Sequence, residues 1–354
     1  MGQAFLPARE SAKYHAYMTR AALVLLLIAL TSCGSPPAAP TSWQLAEDSQ
    51  IKPDAALLAD MITALDAAAQ SGTSPAISKF HVRAATAFEH EGRRVVVNGG
   101  NTEYALPEAI HGETSAVNHA IVRVGADAAR AKVRFVAFYS QSCGTSLGCG
   151  DCRDFMCAST RSDRLLWVCG SAADRKIRVR RFADGLATEE SFPDAAPADL
   201  GLTTVELQRL NTAVQDAWKH GISLFTTSEQ HTAAAVLTAK GVIHRAAGAD
   251  DAAFHYRFPV GGALQQAATS GEYAVRAVLV AGKAGLWPRV TYRDRQYGFE
   301  YSSFGQARRQ PPIRLILSNG QGRYKATTFE AALPHAFSVA RFNPQAIERF
   351  LGAQ

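Results

Sequence analysis

Two short patterns in this 354-residue chain have the residue types and spacing of a metal site that activates water: His111-Gly112-Glu113, and downstream Cys149-Gly150-Asp151-Cys152. One imidazole and two thiolates are nitrogen and sulfur donors that suit a tetrahedral zinc, and three of them leave the fourth position for water. Zinc lowers the pKa of a bound water to about 7, so hydroxide is on hand at neutral pH. A glutamate two residues after the histidine can move protons beside that position. Cys-x-x-Cys alone would also fit a disulfide or redox pair; the His-x-Glu upstream favours metal.

The elements that must hold these residues are readable from periodicity. Residues 111–124 carry Ala116, Val117, Ala120 and Ile121 on one helical face, and residues 149–159 form a second helix. The donors then sit at helix starts, where the positive dipole end favours thiolate and hydroxide. Before them come a helix over 53–70 opened by Pro53-Asp54 and a hairpin of strands 80–88 and 93–98 around Glu91-Gly92. Strands over 132–139 and 164–169 complete an α/β layered unit. The basic run Arg175–Arg181 alternates with Ile177 and Val179, which suits a strand with one charged, solvated face better than a phosphate-binding patch.

A linker over 191–203 follows, and the pattern begins again: helix 204–220, hairpin 233–238 and 242–247 around Lys240-Gly241, helix 263–269, strands 273–281 and 313–317. The recurrence predicts two tandem α/β/α modules, each a mixed sheet flanked by helices, spanning 51–190 and 204–354. Phe258-Pro259-Val260 stands where the first copy has His111-Gly112-Glu113, and no cysteine follows Cys169, so the second copy is read as degenerate and metal-free.

Over roughly residues 55–320 the chain resembles the cytidine deaminase family, in its large two-module bacterial branch. The resemblance rests on Ser78-Lys79-Phe80-His81-Val82, Gly99-Gly100-Asn101-Thr102-Glu103-Tyr104, His111-Gly112-Glu113-Thr114-Ser115-Ala116 and Cys149-Gly150-Asp151-Cys152-Arg153, with Asp251–Phe254 and Gly262-Ala263-Leu264 in the second half. It implies that His111, Cys149 and Cys152 bind Zn2+, that Glu113 shuttles protons, that Asn101 and Glu103 hydrogen-bond the sugar, and that Phe80 stacks near the pyrimidine. The implied reaction is hydrolysis of cytidine or deoxycytidine to the uridine product and ammonia, by attack at C4. The implied assembly is a homodimer in which the metal-free module helps close the partner's site. The chain departs from the family at Ser142–Gly148, an insertion where backbone would meet the exocyclic amine of the base. The alternatives are a deaminase of another amino-substituted ring or of single-stranded nucleic acid, or an inactive scaffold that binds a ligand.

The N-terminus reads as a targeting signal. Arg20 precedes an apolar run from Ala21 to Ala29, followed by Leu30-Thr31-Ser32-Cys33, which resembles a bacterial lipobox with Cys33 as the lipidated residue. An uncleaved N-terminal anchor is the alternative. Met18 would give a compact signal peptide, with residues 1–17 an upstream extension. Residues 34–50 form a Pro/Ser/Ala-rich tether, so the expected location is the cell envelope, lipid-anchored and periplasm-facing. Losing residues 1–33 removes Arg9, Lys13 and Arg20 against Glu10, lowering the formal charge of +6 by two. That excess is too small and dispersed to argue for nucleic acid. Of six cysteines, Cys143, Cys157 and Cys169 remain after the lipobox and the metal, predicting one disulfide and one free thiol with the pairing open.

Overall fold

The computed structural model describes residues 42–338 except 77, 106–107, 141–142, 145, 222–230, 251–255 and 308. The lipobox, Cys33 and the tether up to residue 41 lie outside the described residues. Among the described residues no helix is long and apolar enough to cross a membrane.

The first half is built on one six-stranded mixed sheet. Helix α1 (Ala55–Ala69) starts at Asp54, whose carboxylate accepts the Leu57 N–H at 2.8 Å. It lays Leu57, Met61, Ala64, Leu65 and Ala68 on one face of the sheet. Strands β1 (Arg83–His90) and β2 (Arg93–Gly100) form the predicted hairpin, turned by Glu91 and Gly92 at positive φ. Phe80 falls before β1 rather than within it, because the strand begins only at Arg83. Helix α2 (Gly112–Val124) follows, then strand β3 (Phe135–Ser140), helix α3 (Gly150–Ser159), strand β4 (Leu166–Ser171) and strand β5 (Lys176–Arg181). A short helix, Ala126–Lys132, displaces the start of β3 from the expected residue 132. From the edge inward the sheet runs Gln44–Leu45, β5, β4, β3, β1, β2, with β3 and β4 parallel and registered Ala137 to Val168. In β5, Ile177 and Val179 are buried while Lys176, Arg178 and Arg180 face outward, as the alternation predicts.

The second half repeats this order. Helix α4 (Thr204–His220), opened by a Thr203/Glu206 capping box, precedes strands β6 (Ala233–Thr238) and β7 (Ile243–Ala247), helix α5 (Pro259–Thr269) and strand β8 (Val275–Ala281). Helix α6 (Tyr292–Ala307), strand β9 (Arg314–Ser318) and strand β10 (Tyr324–Thr328) complete it. The sheet runs Asp194–Ala195, β10, β9, β8, β6, β7; β8 and β9 are parallel and, like β3 and β4, are bridged by a helix. Sequence periodicity does not reveal α6. It carries Gly298 and Gly305, and its stability comes from packing: a Cβ on Gly298 would lie 2.2 Å from the Phe329 ring.

The two copies can be placed in register by their buried arginines. Arg153 Nε donates to Gly148 O and Arg295 Nε to Val290 O, each five residues back. Thr291 and Asp294 thus stand where the first half has Cys149 and Cys152. Phe258 caps α5 as His111 caps α2. Asp294 is buried and accepts the Gly261 N–H at 3.0 Å, so a carboxylate joins the starts of α5 and α6 directly.

Candidate metal centre

Each donor is placed by a helix start. His111 is the N-cap residue of α2 and Cys149 that of α3, while Glu113 and Cys152 lie in the first turns. These two helix ends meet at the end of β3. His111 Nδ1 lies 3.1 Å from Cys149 Sγ and 3.2 Å from Cys152 Sγ, and the two sulfurs are 3.3 Å apart. Among the described residues this is the one cluster of three metal-capable side chains with donor atoms within 4.8 Å of one another. A tetrahedral zinc with ordinary Zn–N and Zn–S bonds spaces its ligand atoms by about 3.5–3.8 Å. The trio fits that ion after small side-chain adjustments. Glu113 is buried beside it, with Oε2 3.8 Å from Cys152 Sγ.

The donors strongly shift one another's protonation. The Cys149 thiolate pushes His111 up to about 10, against the effect of burial. The Cys152 thiol donates to Cys149 and, with His111 beside it, holds Cys149 well below its ordinary value, while Cys152 is raised in turn. Burial pushes the Glu113 carboxyl up, so it can carry a proton nearer neutrality than an exposed glutamate. Close backbone approaches fix the helices: a Cβ on Gly112 would lie 2.6 Å from Val82 O, and one on Gly150 only 2.2 Å from Tyr292 O. Behind the thiolates Arg153 is buried and donates to the carbonyls of Gly148, Gly185 and His335.

The loop before Cys149 is tied down at both ends. Cys143 pairs with Cys169 of β4 in a disulfide, and Cys157 is left as a free thiol. This settles the pairing that cysteine counting leaves open. At the other end Leu147 N–H donates to His335 O at 3.1 Å. Cys143 is therefore engaged away from the metal trio.

A cavity of about 290 Å³ opens over the trio and Glu113, lined also by Phe80, Asn101, Glu103, Trp167 and Phe337. Asn101 spends its amide on the wall: Oδ1 accepts the Val82 N–H at 2.9 Å and Nδ2 donates to Phe80 O at 2.7 Å. Glu103 accepts the Ser78 N–H at 2.7 Å and the Ser78 hydroxyl as well. Both side chains line the cavity, and both also shape the segment that carries Phe80. Among the lining residues the sequence reading missed, with Trp167, is Phe337, whose ring centroid lies 5.8 Å from that of Phe80. It comes from beyond residue 320, and no motif marks it. A larger, more open cavity of about 1530 Å³ lies between α4, β7, α5 and α6, and none of the trio lines it.

No family model and no curated protein matches the sequence. Among solved structures the chain is similar to a cytidine deaminase from Burkholderia pseudomallei, 22% identical over 38% of this chain and 100% of that one, with a TM-score of 0.32. It is similar to the cytidine deaminase from Mycobacterium tuberculosis, 25% identical over 38% of this chain and 94% of that one, TM-score 0.25. It is likewise similar to that from Mycobacterium leprae, 21% identical over 37% and 97%, TM-score 0.25.

Proposed function

We propose that this chain is a zinc-dependent hydrolase that deaminates a cytosine nucleoside, cytidine or deoxycytidine, to the uracil nucleoside and ammonia. The observation that carries the reading is the meeting of His111, Cys149 and Cys152 at two helix starts, with the buried Glu113 carboxylate beside them on one cavity. His111 Nδ1 and the two thiolates would hold the ion, which supplies a Lewis acid that makes a nucleophile of water at neutral pH.

The chain's own groups perform the remaining work. Glu113 takes a proton from the attacking water and delivers it to ring N3, which makes C4 electrophilic. The same carboxylate then takes the proton of the new C4 hydroxyl and passes it to the departing amine, so that the C4–N bond breaks, C4 becomes a carbonyl and ammonia leaves. Its burial suits both steps, because a raised pKa lets it hold a proton and give it back. Phe80 and Phe337 would wall the ring, and Asn101 and Glu103 would face the sugar hydroxyls while bracing residues 78–82. The cavity volume stands near the lower end of small-molecule pockets, about 300–1,000 Å³, and suits one nucleoside. Lipid anchoring at Cys33 in the cell envelope belongs to the same proposal and rests on the lipobox-like sequence.

The test is to purify the full chain, quantify zinc and follow the loss of cytidine absorbance, with other amino-substituted rings and oligonucleotides alongside. Glu113→Gln should retain zinc and lose about 10²–10⁴-fold in kcat. A zinc-loaded protein that turns over no cytosine nucleoside overturns the reading.

A further inference from the structure

We propose that the second half of the chain completes the active site in cis, so that one chain is the whole catalytic unit and no residue is borrowed from a second copy. The proposal rests on the deaminase reading above for what the site does, and on separate observations for how it is closed.

Three contacts carry it. The segment at 335–337 enters the first half: His335 O accepts from Leu147 N–H at 3.1 Å and from Arg153 Nη2 at 2.9 Å, and Phe337 lines the cavity packed against the Phe80 ring. The metal helix α3 is docked on α6. Asp154 accepts the N–H groups of Tyr292 at 3.1 Å and Arg293 at 2.9 Å, capping a helix of the other half. Arg293 Nε in turn pairs with Asp151 Oδ1 at 3.1 Å, between the two thiolate residues. Gly150 permits this docking, since any Cβ there would strike the Tyr292 carbonyl.

The second half is equipped for this role because a hydrogen bond joins its two helix starts. Asp294 bonds the start of α5 where the first half has its ligand cluster, and the Arg293 guanidinium, 4.8 Å from the Phe258 ring centroid, reaches from that converted site to the metal helix. A covalently attached partner of this kind is present at a high effective concentration, so closure does not depend on meeting another chain. On this proposal, closure within the chain takes the place of the homodimeric closure that the family resemblance implies.

Two experiments test it. The first mixes Glu113→Gln protein, which keeps Phe337, with Phe337→Ala protein, which keeps Glu113. Closure in cis predicts that the mixture turns over cytidine no faster than its Phe337→Ala component alone, and that wild-type specific activity stays constant on hundredfold dilution. A mixture faster than the sum of its parts, or activity lost on dilution, overturns the proposal. The second needs no turnover: F80C/F337C protein, oxidised and run without reductant, should cross-link within one chain and migrate as a monomer. A dimer-sized product overturns closure in cis. If wild-type protein turns over no nucleoside while the cross-link forms within the chain, the deaminase reading falls and the closure stands.

Discussion

Arg153 gathers three carbonyls, from Gly148, Gly185 and His335, onto one buried guanidinium behind the thiolates. Replacing it by methionine fills much of the space but leaves three acceptors without a donor, so Arg153→Met should cost about 3–5 kcal/mol in urea unfolding. Arg153→Lys should recover little of this, because a point-like ammonium cannot serve the fork. The donors themselves were legible, since His-x-Glu and Cys-x-x-Cys state their chemistry in residue type and spacing. Arg153 was visible only as a neighbour of Cys152; its role depends on Gly185 and His335, which no local pattern connects to it. The disulfide was undecided for a similar reason. Three leftover cysteines allow any pair, and the choice follows from β3 and β4 lying side by side, with Ser140 registered to Ser171, so that Cys143 leaves β3 near Cys169 while Cys157 rides on α3.

Helix α6 shows the opposite balance between sequence and packing. Strands with alternating patterns and helices with caps, such as α1 and α4, could be read because the information is local. The sequence of α6 is rich in aromatics and interrupted by two glycines, and only its neighbours α3, α5 and Phe329 make it a helix. Its first turn holds Asp294, which burial pushes up to about 7, with Asp154 adding to the shift and Arg293 opposing it. In the unfolded chain an aspartate titrates near 3.9. The folded state therefore holds the proton more tightly: Asp294's contribution to stability is complete below about pH 4 and is lost as pH rises through 7. The loss is up to about 4 kcal/mol between those limits. Asp294→Asn keeps an acceptor for Gly261 N–H without the charge, and should flatten this part of the stability profile in denaturant titrations from pH 4 to 8.

At the scale of the whole molecule, the tandem order of helix, hairpin, helix and strand could be read twice along the chain, and the two sheets repeat it. How the copies dock could not be read, since the contacts through Asp154, Arg293, His335 and Phe337 join distant residues with no shared periodicity. On the proposed function, the docked molecule must also keep two cysteine pairs, barely apart in sequence, in opposite oxidation states. Cys143 and Cys169 are joined, whereas Cys149 and Cys152, with sulfurs 3.3 Å apart, must stay reduced to bind a metal. Oxidative maturation threatens the second pair as readily as it forms the first. Zinc bound early would act as a protecting group, taking both thiolates out of thiol–disulfide exchange. Refolding in air with zinc should leave Cys149, Cys152 and Cys157 alkylatable after denaturation in chelator. Refolding in chelator throughout should leave Cys157 alone of the three, with the metal site closed by its own cystine. Differential alkylation with mass spectrometry reads the difference, and it makes the order of metal uptake and oxidation part of what the chain encodes.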